Sequence, residues 1–476
     1  MVKSQSLLIL LLFPVTALAS SELDQVGIYH RCYAHLVKDR PPANDPRLTL
    51  IRAGSLSGTD ACLQVLESAE LIAASGTTIS NTSDTVARKV IQNLHNFHHS
   101  WFGSRRFQGL ADTCGDKSTG DILDATQPAA YITRALLKPG TEYKSIVTSA
   151  QSFQPLRENG TPNVGAQSLA AKVNYAYRQT PFPGGAQSSV NFPYIHRGAV
   201  IGVQPAPAMT LPNAAYDVAQ NLDLKQTFGG GILGDPSYLL QTVKEDPFTF
   251  EATGSLKMPR KWAKSFFADL MCRELPLVRL GDGAPWVNQA AAAPFRKSNA
   301  CIQCHVTMDR MAGAARHLHY GRTFDGACTD GTFPNAFIFW PVPQTQPAQG
   351  AWSLASDTNF GRRPPEGVLY FRSFDGKLIH KEVTGLTALG AAISDTDDLY
   401  ACAAKRYYEF FTGISVDLND PGANGTNLTL NEAQKKHRDR VIAYGKSLKT
   451  HQSLKTLVRE ILSSDTYRSS TFGVTE

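Results

Sequence analysis

The sequence predicts a mainly α protein, in which a helical N-terminal domain and a helical C-terminal domain with a small β-hairpin flank a loop-rich middle region. Three observations carry this expectation. Apolar residues recur at helical spacing toward both ends of the chain, as in Ala61, Val65, Leu66 and Ala69. From about Gly109 to Asp235 the chain is rich in Gly, Pro, Ser, Asn and Gln, punctuated by Pro181-Phe182-Pro183-Gly184-Gly185, Pro205-Ala206-Pro207 and Gly229-Gly230-Gly231. Finally, Phe374-Asp375-Gly376-Lys377 separates Val368–Phe371 from Leu378–Val383, an Asp-Gly turn between two apolar runs.

Taken in order, residues 1–19 read as a secretory signal peptide: Lys3, an apolar run from Leu7 to Leu12, and the small-residue site Ala17-Leu18-Ala19 before Ser20. The run is too short for a stable anchor, and no later stretch reaches ~18 uninterrupted apolar residues, so no transmembrane anchor is expected. Residues 20–107 form the N-terminal domain, with helices expected at Asp24–Val37, Gly58–Ala74 and Thr85–Trp101. The middle region, 108–240, holds short helical pieces at Pro128–Leu137 and Ala214–Leu222. The C-terminal domain, 241–476, opens with a helix near Met258-Pro259, where proline suits a first turn, and closes with amphipathic helices at Asp395–Thr412 and about Leu430–Ser464.

The chain has 476 residues, 42% hydrophobic and 18% charged, which are globular values. A net charge of +6 is mild at this length, and the only dense basic cluster, Lys435-Lys436-His437-Arg438, reads as a solvated helix face. A nucleic-acid footprint is therefore not expected. No nucleophile elbow is present, and Gly229-Gly230-Gly231 lacks the Lys-Ser/Thr ending of a phosphate-binding loop. Eight cysteines are present: Cys32, Cys62, Cys114, Cys272, Cys301, Cys304, Cys328 and Cys402.

Two of them belong to Cys301-Ile302-Gln303-Cys304-His305, which fits the C-x-x-C-H haem-attachment signature. Two thiols one helical turn apart can each add across a vinyl group on one porphyrin edge, and the next residue then aims an imidazole at the iron. A thioredoxin-like redox pair would prefer a small α/β setting, which the surrounding pattern lacks. A zinc site would need more ligands at regular spacing; Cys328 with His317 or His319 does not make a familiar order. The expected cofactor is thus one covalent haem c, with Cys301 and Cys304 as anchors and His305 as the proximal iron ligand. Met308 and Met311 follow on the same helix, on the proximal side, and read as core. For the sixth position Met209, Met258, Met271, His95, His98, His99, His196, His317, His319 and His380 are the formal choices; Met258 is favoured, beside an open or water-filled site. Arg316 and Arg322 are candidate partners for haem propionates. His95 and His99 share a helix face at a metal-gripping spacing, but no local carboxylate or cysteine joins them, and a polar helix end is the better reading. The six remaining cysteines can pair in an oxidising compartment, and Cys32–Cys62 is the expected first pair because both flank adjacent N-terminal helices.

Around the motif run Pro294-Phe295-Arg296, Met308-Asp309 and Gly321-Arg322-Thr323-Phe324-Asp325, preceded by Leu270-Met271-Cys272-Arg273-Glu274-Leu275-Pro276. Further on come Leu399-Tyr400-Ala401-Cys402, Tyr407-Tyr408, Thr412-Gly413 and the ending Leu457 to Asp465. This pattern, over roughly residues 230–470, resembles the planctomycete-type cytochrome c-like families of exported proteins. Arg310 stands where that pattern has proline, and Gly321-Arg322 precedes Phe324-Asp325 instead of following it. The resemblance implies a mostly helical haem domain in a periplasmic or outer-envelope protein.

The expected function is single-electron transfer by an exported monohaem c-type cytochrome-like protein in the bacterial periplasm or cell envelope, with a redox partner protein the sequence does not name. Two alternatives stand beside it: a haem-dependent sensor or oxidoreductase with an open sixth iron site, and a haem-free envelope protein whose Cys301 and Cys304 form a structural disulfide.

Overall fold

A computed structural model describes residues 23–103, 124, 126–158, 163–170, 187–194, 198–206, 227–242, 257–291, 294–316, 318–324, 335–341, 364–419 and 430–469. For the strands at 163–170, 187–194, 318–324 and 335–341, and for Leu240, Lys257 and Met258, the description is of the backbone alone. The signal-peptide expectation, the helix at Ala214–Leu222, and Cys114, Cys328, His196, Met209 and His317 lie outside the described residues.

The chain is mainly helical, and the N-terminal segment shows why. Helices α1 (Gln25–Val37), α2 (Pro46–Arg52), α3 (Gly58–Glu67) and α4 (Thr85–Ser100) each begin at a side-chain cap: Asp24, Asp45, Ser57 and Asp84 accept from backbone amides of the first turn. The apolar stripes then bury Ile28, Leu36, Val65, Val90, Ile91 and Leu94. Cys32 on α1 and Cys62 on α3 form the disulfide expected from the sequence. Helix α3 stops at Glu67, short of the expected Ala74, because Leu71 donates its amide to the Leu137 carbonyl at the end of α5 (Gln127–Leu137). A tertiary bond thus competes with continuation of the helix.

A short α6 (Ser145–Thr148) follows, and then strands appear where the sequence suggested loops. Strand β1 (Phe153–Arg157) pairs antiparallel with β4 (Val200–Pro205), and β2 (Asn163–Ala170) with β3 (Gln187–Tyr194). Helix α7 (Pro236–Thr242) leads to α8 (Lys257–Leu270), the one-turn α9 (Leu280–Gly283) and α10 (Asn299–Ala312), which carries the C-x-x-C-H motif. Strands β5 (Leu318–Phe324) and β6 (Asn335–Pro341) make a third antiparallel pair. The expected hairpin is present as β7 (Glu366–Arg372) and β8 (Leu378–Thr384); Gly376 sits in its turn at φ +80°, where a side chain would be strained. Helices α11 (Gly385–Ser394) and α12 (Asp397–Thr412) follow, the latter ending at Gly413 in the left-handed conformation. The last expected helix is divided into α13 (Glu432–His451), α14 (Leu454–Leu462) and α15 (Asp465–Arg468), the first break falling at Gln452, which is left-handed at φ 58°.

One continuous apolar core runs from Ile28 and Leu36 through Ile146, Trp262, Phe266 and Phe371 to Tyr407, Leu457 and Tyr467. Helices α12 and α13 cross closely at Gly445, where a Cβ would lie 2.7 Å from the Ala401 Cα. A second disulfide, Cys272–Cys402, joins the chain just after α8 to α12. The entry to α1 meets the exit from α15: Leu23 N–H donates to the Arg468 carbonyl at 2.7 Å, and the Arg31 guanidinium donates to the carbonyls of Tyr467 and Ser469 at 2.6 and 2.8 Å.

The interior also holds paired polar groups. The carboxylate of Asp235 accepts from Gln127 Nε2 (2.8 Å), Ser152 Oγ (2.9 Å) and Tyr131 OH (3.0 Å) on one oxygen, and from the Ser237 and Tyr238 amides on the other. Buried Asp124 pairs with Arg157 at 2.9 Å, and buried Arg273 with Asp398 at 2.7 Å. No helix among the described residues is long and apolar enough to cross a membrane.

Candidate metal centre

The site begins with the two faces of α10. Ile302 and Val306 are buried in a small satellite cluster with Val278 and Tyr370, against which Val287, Val368 and Leu378 pack. Gln303 holds the same side in place by donating Nε2 to the Val278 carbonyl. With that face fixed inward, the i, i+3, i+4 positions Cys301, Cys304 and His305 fall together on the opposite face. Cys301 is exposed, Cys304 and His305 are half-buried, and both thiols are free. Burial pushes the Cys304 thiol up from its ordinary value, with the charge of Lys264 on α8 acting in the opposite direction.

The His305 ring is held on two sides. It stacks on Phe295, with ring centroids 4.1 Å apart and planes inclined by 24°. Its Nδ1 lies 3.1 Å from each carboxylate oxygen of Asp309, one helical turn on. Asp309 is gripped in turn by Arg260 of α8, Nε to Oδ1 at 2.6 Å and Nη2 to Oδ2 at 2.9 Å, and the Arg260 guanidinium also faces the Phe295 ring at 5.3 Å. Nδ1 is thereby occupied and Nε2 is the nitrogen left to ligate. Further along α10, Arg310 lies flat against Trp286, 3.7 Å from the ring centroid.

These residues fit a c-type haem. Two free thiols one turn apart match the two thioether positions, and an imidazole with one nitrogen anchored by a carboxylate is an arrangement common to ligating histidines. A haem brings four nitrogen ligands of its own, so it does not require the group of three or more His, Cys, Asp or Glu side chains that would mark a protein-only metal site, and no such group occurs among the described residues.

The other candidate residues are distributed as follows. Met258 opens α8, the helix packed on α10 through the Arg260–Asp309 pair; its side chain lies outside the description. Arg316 donates Nε to the Gly313 carbonyl and Nη2 to the Glu366 carbonyl, tying the end of α10 to β7. Arg322 and His319 lie on β5, of which only the backbone is described. Met271 is fully buried in the main core, and His380 packs edge-on against Tyr370. His95 and His98 are buried with both ring nitrogens engaged by hydroxyls: Thr133 and Thr126 for His95, Thr133 and Tyr407 for His98. Burial lowers the pKa of both, that of His95 to about 3. The polar residues around His305 that sequence reasoning did not single out for a role are Asp309 and Arg260. The i, i+4 spacing of His305 and Asp309 was a usable signal, whereas Arg260 lies 49 residues before Asp309 and left none.

No family model matches the chain, and no curated protein and no solved structure matches it either.

Proposed function

We propose that this chain is an exported monohaem c-type cytochrome-like protein that passes single electrons between redox partners in a bacterial periplasm or cell envelope. The observation that carries the reading is the grouping of free Cys301, free Cys304 and an Nδ1-anchored His305 on one open face of α10. Cys301 and Cys304 would hold the porphyrin edge through thioethers, His305 Nε2 would take the proximal position, and Met258 is a candidate for the other axial position. A haem bound here would supply a one-electron ferric/ferrous couple. The chain's own part is to anchor, to orient the imidazole through Phe295 and Asp309, and to hold α10 in place through its packing against α8 and β7. Arg316 and Arg322 remain candidates for propionate contacts. Two disulfides elsewhere in the chain are in keeping with an oxidising compartment.

The test is a haem-stained denaturing gel of full-length protein exported in a host with c-type maturation machinery, beside Cys301→Ala/Cys304→Ala. Staining that survives denaturation in the wild type and vanishes in the variant is expected. Absence of stain in both would refute the reading.

A further inference from the structure

We infer that Asp309 is a positioning residue for His305: it fixes the proton on Nδ1, directs Nε2 outward as the ligating nitrogen, and holds the potential of the bound group down, while Arg260 limits that effect. The inference rests on the haem reading for its electrochemical half and on the described geometry alone for its tautomeric half.

The geometry is specific. Free imidazoles in water favour the proton on Nε2, which would leave Nδ1, the nitrogen nearer the backbone, to ligate. Here Nδ1 lies 3.1 Å from both Asp309 oxygens, so a proton placed there makes a charge-assisted hydrogen bond that no other tautomer can make. Phe295, stacked at 4.1 Å, restrains the ring from turning out of that contact. A carboxylate behind the imidazole donates electron density through the hydrogen bond and favours the more positively charged ferric state, which lowers the potential. Arg260 binds both oxygens of the same carboxylate at 2.6 and 2.9 Å, drawing off part of that charge. The two residues therefore act with opposite signs on one ring, from elements 49 residues apart in sequence. Two opposite charges beside a bound group shift its potential in opposite directions whatever their role, so the His305 tautomer is what separates positioning from a purely structural ion pair.

Two measurements on the full chain decide it. In haem-free protein labelled with 15N-histidine, nitrogen chemical shifts are expected to report Nδ1–H for His305 in the wild type and predominantly Nε2–H in Asp309→Ala. Nε2–H in the wild type overturns the proposal whatever the haem stain shows. In haem-loaded protein, a redox titration is expected to show Asp309→Asn shifting the reduction equilibrium about tenfold toward the ferrous form, which is ~59 mV for a one-electron couple. Arg260→Gln is expected to shift it in the opposite direction, and Asp309→Glu to return it toward the wild-type value. Shifts smaller than threefold for both Asp309→Asn and Arg260→Gln, with covalent haem still present on the gel, overturn the proposal and leave the haem reading standing. A wild type that does not stain removes the haem reading and the electrochemical half with it, and the nitrogen shifts then still accept or reject the tautomer assignment.

Discussion

The carboxyl of Asp235 gives the most quantitative prediction about this fold. Burial drives its pKa up from 3.8 to about 6, even though the Ser152 hydroxyl, the Tyr238 amide, the Tyr131 hydroxyl and the Gln127 amide all donate to it and pull the other way. Between those two pH values the folded chain keeps a proton that the unfolded chain has released. Stability contributed by this group is therefore full below about pH 4 and is lost as the pH rises through 6. At about 1.4 kcal/mol per decade, the gap amounts to about 3 kcal/mol. Asp235→Asn removes the titration. Its amide group needs an acceptor where the carboxylate had none to offer, and Gln127 Oε1, buried and without a partner among the described residues, can supply one by an amide flip. The expected result is that urea unfolding, followed by tryptophan fluorescence with the buried Trp262 as a nearby reporter, gives Asp235→Asn a stability advantage over wild type that grows by about 3 kcal/mol from pH 3 to pH 7. Asp235→Ala serves as the control, because it removes an acceptor shared by the Gln127 amide, the Ser152 and Tyr131 hydroxyls and the Ser237 and Tyr238 N–H groups, at ~1–3 kcal/mol for a donor left unsatisfied. If wild type and Asp235→Asn give parallel curves across this pH range, the carboxyl is not titrating there and the reasoning is refuted.

Other perturbations have equally definite outcomes. His95 is fully buried and held at about 3, so the unfolded chain takes up a proton near pH 6.5 that the folded chain refuses; stability is lost as pH falls from about 6.5 toward 3, and His95→Gln should flatten that acid limb in an unfolding titration. Replacing Cys272 and Cys402 together by alanine releases a cross-link spanning 130 residues, for which the chain-entropy relation gives a loss of up to about 5 kcal/mol. Reductant should then lower the melting temperature of the wild type more than that of this variant in differential scanning fluorimetry. Gly445→Val forces a side chain into the Ala401 backbone where α12 and α13 cross, and a cost of about 2–3 kcal/mol is expected by denaturant unfolding, against under 1 kcal/mol for the exposed Lys446→Ala.

The helices that were legible in sequence, such as α1, α3, α4 and α12, carry local signals, whereas α2, α7 and α11 were not expected. Asp24, Ser57 and Asp84 stand at the starts of apolar stripes, and Asp375-Gly376 marked the β7–β8 turn. What escaped was decided by distant partners. Leu71 leaves α3 for the Leu137 carbonyl, and Gln452 breaks the closing helix because its carbonyl accepts the Tyr143 amide and its side-chain oxygen the Lys144 amide. The strand Phe153–Arg157, with a proline at its centre and a pairing partner beginning 43 residues further on, carries no periodic signal strong enough to read. The same division runs through the candidate site. Cys301, Cys304 and His305 are a contiguous motif, and Asp309 is one turn away; Phe295 and Arg260 reach the imidazole only through packing of separate segments.

The contact between α1 and α15 has a consequence for how this molecule is made. A chain emerging in order exposes α1 long before the partners of Leu23 and Arg31, because the carbonyls that Arg31 binds, those of Tyr467 and Ser469, follow it by 436 and 438 residues. Tyr467 is fully buried and Arg31 lies over its ring, so α1 cannot complete its burial until residue 467 has been made. The Cys32–Cys62 cross-link, by contrast, closes within the first part of the chain and can form early. It would keep α1 and α3 together as a waiting hairpin while the remainder is delivered, leaving nascent chains truncated before residue 467 with an open apolar seam that quality-control proteases and chaperones can recognise.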